Sequence, residues 1–69
     1  MNFNEIFITH PDGSIEPRFQ IQVGGVSLSP GIRFGKGVSF SGIDFSLFMG
    51  RDFQVRRDGQ IINILGVYQ

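Results

Sequence analysis

Three short stretches bring chemically capable residues together. The first is His10-Pro11-Asp12, an imidazole and a carboxylate within one turn. Such a pair could do general acid–base work or supply two metal ligands. Proline followed by Asp-Gly is, however, what a tight turn requires, because proline presets φ and glycine accepts positive φ. We read these residues as turn chemistry. His10 is the only histidine and the chain has no cysteine, which excludes a multi-histidine or thiolate metal site within one chain. No local motif marks a serine as a nucleophile.

The second stretch is Gly35-Lys36-Gly37, which carries a lysine between glycines as phosphate-cradling loops do. Those loops lead from a strand into a helix N-terminus, with Ser or Thr after the lysine. Here Gly37-Val38 follows and no helical pattern does, so nucleotide binding is not expected. The third is a set of cations, Arg33, Lys36, Arg51, Arg56 and Arg57, interleaved with Phe34, Phe40, Phe45 and Tyr68. In a small β-barrel such residues could contact the phosphates and stack on the bases of a single-stranded nucleic acid. The chain has six basic and six acidic residues, and its zero net charge disfavours that alternative. No catalytic residue, cofactor or metal ligand is assigned, and we expect a non-enzymatic protein.

The elements that position these residues read as strands. Residues 15–23 alternate, with Ile15, Pro17, Phe19, Ile21 and Val23 on one face and Glu16, Arg18, Gln20 and Gln22 on the other. With residues 3–9 they form a hairpin across the His10–Ser14 turn. Placing His10 opposite Ile15 sets Ile8 against Pro17 and Ile6 against Phe19, and leaves Phe7 pointing outward. Pro17 cannot donate a ladder hydrogen bond, which suits an edge or a bulge.

Residues 24–45 hold four Gly-apolar-polar-apolar units, beginning at Gly25, Gly31, Gly37 and Gly42. Four units are too few for a β-helix, which buries its core only over several stacked coils. Very short strands entered through glycine bends fit better. Residues 43–50 are the one helical candidate, either a single turn capped by Asp44 and ended by Gly50 or an irregular strand in which Phe45, Leu47 and Met49 alternate with Ser46 and Phe48. Asp58-Gly59 is a strong two-residue hairpin signal. It pairs Arg57 with Gln60, Val55 with Ile62 and Phe53 with Ile64, and Gly66 marks a bulge after which Val67 and Tyr68 change sides.

The expected fold is therefore one all-β domain spanning residues 1–69. It is a small barrel or two-layer sandwich of about five to seven short antiparallel strands, with at most one helical turn near residues 44–49. At this length only about 60% of the unfolded surface can be buried, so disulfides, metals or partner chains commonly assist. Disulfides are out. No run approaches the roughly 18 apolar residues of a membrane span, and the N-terminal residues lack the basic start and apolar run of a signal peptide. We expect a soluble, cytoplasmic chain.

The last hairpin has one wholly apolar face. Its other face puts Ile61 and Leu65 among Asp52, Gln54, Arg56 and Asn63. Apolar residues exposed beside free strand edges would be adhesive in a small monomer. Phe7, Arg56, Ile61, Asn63 and Leu65 are therefore the expected interaction surface. The expected function is a protein-interaction or self-association module, acting as a homodimer or on another protein.

Overall fold

The structure, a computed structural model, describes residues 1–68. It is all-β and mostly antiparallel. One helical turn, α1 (Phe3–Ile6), precedes six strands: β1 (Phe7–Thr9), β2 (Ile15–Pro17), β3 (Gln20–Val23), β4 (Val26–Leu28), β5 (Phe53–Asp58) and β6 (Ile61–Val67). A 3₁₀ turn, Phe45–Phe48, lies between β4 and β5. β1 and β2 form a two-stranded sheet, and the other four are ordered β4-β3-β6-β5. No helix among the described residues is long and apolar enough to cross a membrane.

The two sheets share one core of twelve side chains, five of them phenylalanines. Phe7 is at its centre, with ring centroids 4.9 Å from both Phe3 and Phe45 and edge-on approaches to Phe34 and Phe53. These tilted and T-shaped pairs match the ring quadrupole, which disfavours face-to-face stacking. The central strands β3 and β6 contribute Ile21, Val23, Ile62 and Ile64.

The first hairpin departs from expectation in three ways. The chain opens in a helical turn because Asn2 and Glu5 form a capping box. Asn2 accepts from the Asn4 amide at 3.1 Å, and Glu5 accepts from the Asn2 amide at 2.9 Å. The loop is also one residue longer than the alternation suggested, running from His10 to Ser14 between Thr9 and Ile15. Phe7 therefore faces Pro17 and Ile8 faces Glu16. A one-residue slip exchanges the faces of a strand, so Phe7 turns inward and is 1% exposed. Ile6 is still buried because it belongs to the helical turn, where strand alternation does not apply. Residues 15–23 are broken at Arg18-Phe19 into β2 and β3, in different sheets, and Phe19 at the break is 39% exposed.

The glycine-rich middle is one short strand, β4, followed by bridges. Phe34 pairs with Ile15 and Phe40 with Ile43. Two carboxylates hold this segment. Glu16 accepts from the Gly31 amide at 3.0 Å and from His10 Nε2 at 2.7 Å. Asp44 caps the 3₁₀ turn through the Ser46 amide and hydroxyl, and its other oxygen accepts from the Gly37 amide at 3.1 Å. Gly50 closes the turn at φ +80°, as expected for that position.

The parallel pairing of β3 with β6, Gln20 to Val23 against Ile61 to Ile64, was not expected and joins the two halves of the chain. The last hairpin turns at Gly59-Gln60, with Asp58 opposite Ile61, one residue beyond the expected turn. Gly59 has φ +64° and Gln60 does not have positive φ, the signature of a type II′ turn. The loop remains two residues long, so every side chain keeps its expected face. Phe53, Ile62 and Ile64 are buried, and Val55 packs against them.

Candidate interaction surface

The outward face of the four-stranded sheet is a ladder of polar rows crossed by an apolar stripe. The middle row runs Ser27, Gln22, Asn63 and Arg56 across β4, β3, β6 and β5. The row nearer the hairpin turn runs Gln20, Ile61 and Asp58. Along β6 the stripe is Ile61 and Leu65, with Tyr68 just beyond the strand.

Leu65 owes its position to a bulge. Gln54 pairs with Gly66 and Val55 with Ile64, so Leu65 is the extra residue on β6. A bulge leaves such a residue unpaired and bends its strand, and Leu65 is 57% exposed. The next inward position is Val67, which packs against the core. Tyr68 follows on the outer side, also 57% exposed, with its amide donating to the Asp52 carbonyl at 2.9 Å. The change of sides expected for Val67 and Tyr68 is present.

Four of the five residues expected to form an interaction surface therefore share this face. Arg56 and Asn63 are direct cross-strand partners, and Asn63 Nδ2 donates to the Arg56 carbonyl at 3.3 Å. Ile61 is half-buried one row away, and Leu65 projects beyond them. The fifth, Phe7, is corrected: it lies at the core centre, unavailable to any partner. Tyr68 also lies on this side, an outward position that follows from the bulge at Leu65 and that the sequence signalled through the break expected at Gly66.

The five cations considered for nucleic acid are dispersed. Arg56 and Arg57 are consecutive on β5 and so point to opposite faces. Arg33 lies 3.8 Å from Glu16, beside the first hairpin. Arg51 leads into β5, where its carbonyl accepts from the Phe3 amide. Lys36 sits on the glycine loop near Asp44.

The His10-Asp12 pair divides between two partners. His10 bonds to Glu16, while Asp12 accepts from the amide and hydroxyl of Ser14. Hydrogen bonds favour the ionised form of a carboxylate. The Ser14 hydroxyl lowers the pKa of Asp12, the His10 ring lowers that of Glu16, and the Ser46 hydroxyl lowers that of Asp44. Among the described residues no group of three or more His, Asp or Glu side chains is placed to hold a metal ion.

No family model matches this chain, and no curated protein or solved structure is significantly similar to it.

Proposed function

We propose that this protein is a binding module whose outward sheet face self-associates, each copy laying its β3-β6-β5 face against that of a second copy. The observation that carries this reading is the exposure of Leu65 and Tyr68 on the sheet face that also carries the Arg56–Asn63 pair. Tyrosine and arginine around an apolar centre are the residue types that dominate interface energetics.

The occupant is a second copy because the face is complementary to itself. Arg56 and Asp58 are two residues apart on β5 and project from the same face. A two-fold axis between two such faces can set each arginine against the other copy's aspartate, as an isologous contact requires. A standard interface removes about 800 Å² per partner, roughly a fifth of the 4162 Å² surface of this chain. That is a large gain for a domain with so small a core.

The test is isotope-filtered NMR on a mixture of labelled and unlabelled chains. Intermolecular contacts from Leu65 and Tyr68 support the face-to-face pairing. Spectra with intramolecular contacts only, at the highest soluble concentration, overturn it. Intermolecular contacts that map elsewhere also overturn it.

A further inference from the structure

A second feature lies away from that face. Phe19, Arg57, Gly59, Gln60 and Ile62 line a half-open cleft of about 330 Å³ at the turn end of the last hairpin. We propose that this cleft binds a small organic carboxylate carrying a flat apolar body.

Each part of the cleft has a chemical counterpart in such a molecule. Ile62 supplies an apolar floor and is itself buried. Phe19, at the break between β2 and β3, is 39% exposed to solvent and lines the cleft. No other phenylalanine among the described residues is as exposed: five are buried and the other two pack against the core. Arg57 pairs across the hairpin with Ile62, so its side chain rises from the same face as that floor. Among the described residues no carboxylate lies within ion-pairing distance of Arg57, and the guanidinium's one hydrogen bond is to the Met1 sulfur at 3.9 Å. A guanidinium offers a planar fork of donors that matches a carboxylate bidentately. The amides of Gly59 and Gln60 donate no hydrogen bond among the described residues. The cleft thus combines an aromatic wall, an apolar floor and a cation with no carboxylate partner among the described residues. Its volume is at the low end for small-molecule sites and suits a ligand with a single ring.

Two sources share this chemistry, free aryl carboxylates and peptide chains ending in an aromatic residue. Both can be tested by amide chemical-shift titration of the full chain. Phenylacetate is the first probe, phenylacetamide its uncharged control, and acetyl-glycyl-phenylalanine the peptide probe. The expected result is saturable shifts at Phe19, Gly59, Gln60 and Ile62 with phenylacetate and none with the amide. Arg57→Gln should weaken binding about tenfold, the loss of a charge-assisted hydrogen bond. Arg57→Lys, which keeps the charge without the fork, should fall between the two. Tighter binding of the dipeptide than of phenylacetate assigns the cleft to peptide C-termini; equal or weaker binding assigns it to free carboxylates. Absence of saturable shifts with both carboxylates overturns the proposal. So does an equal response to phenylacetate and its amide, which compares ligands on the unaltered protein and needs no variant.

Discussion

Phe7→Ala separates two registers of the first hairpin that differ by one residue. With His10 opposite Ile15, Phe7 is a surface residue, and truncating it costs within about 0.5 kcal/mol. With Thr9 opposite Ile15, it is 1% exposed and makes ring contacts with Phe3, Phe34, Phe45 and Phe53. Truncating a fully buried phenylalanine costs about 3–5 kcal/mol. The value belongs at the upper end here, because the neighbouring rings are held by other elements and cannot close the cavity. The total stability expected of a domain this size is only about 3–10 kcal/mol. The variant should therefore lose a third of its stability or more, lowering Tm by at least about 12 °C. The half-buried Ile8 is the internal control, and Ile8→Ala should cost about 1 kcal/mol. Urea unfolding followed by circular dichroism gives both values. A cost below about 1 kcal/mol for Phe7→Ala with an unchanged m-value, or a larger cost for Ile8→Ala, refutes the observed register and the core built on it.

Gly24 has φ +59°, and a Cβ there would overlap the Ser41 hydroxyl and lie 2.9 Å from the Ser41 Cβ. Gly24→Ala should cost at least about 2 kcal/mol, whereas Gly25→Ala, with open space and no positive φ, should stay within about 0.5 kcal/mol by the same melt. Asn2→Ala removes the capping box and the Asn2 side-chain bonds to the Gly50 carbonyl and Asp52, and should cost about 1–2 kcal/mol. Asp12, Glu16 and Asp44 have lowered pKa values in the fold, so their contribution is complete above the unfolded value of about 4 and is lost as pH falls through the lower folded values. Thermal melts should show Tm falling below about pH 4, with a shallower fall in Glu16→Gln and Asp44→Asn.

How much of this was legible follows from where local signals are self-sufficient. The last hairpin was legible in its faces but not in its register: Asp58-Gly59 signals a two-residue loop, the chain turns one residue later at Gly59-Gln60, and a one-step displacement of such a loop preserves both faces. Of the two readings of residues 43–50, the turn with an Asp44 cap and a Gly50 stop is the one formed, since both signals act within a few residues of themselves. The first hairpin was not legible, because a loop containing Pro and Gly can close with four or five residues and only the buried cluster around Phe7 decides between them. The Asn2–Glu5 capping box was present in the sequence as Asn-x-x-Glu, and the i, i+3 spacing of Phe3 and Ile6 agrees with the helical turn it starts. The parallel contact of β3 with β6 had no local signal, as it joins segments about forty residues apart. The set of residues on the outward sheet face was legible wherever it depended on the second hairpin, and failed at Phe7, where it depended on the first. The cleft beside Arg57 was not legible at all, since it requires Phe19 to leave the strand pattern that its spacing suggested.

The claim that the outward sheet face pairs two copies is tested most directly by mass in solution. Light scattering across a concentration series should show the weight-average mass rising from 7.7 kDa toward twice that value. The Leu65→Lys variant, whose change is at an exposed bulge, should stay at 7.7 kDa throughout while retaining the Tm of the monomer. A natural-sequence chain that remains at 7.7 kDa at every concentration, or a Leu65→Lys chain that associates equally well, contradicts the account.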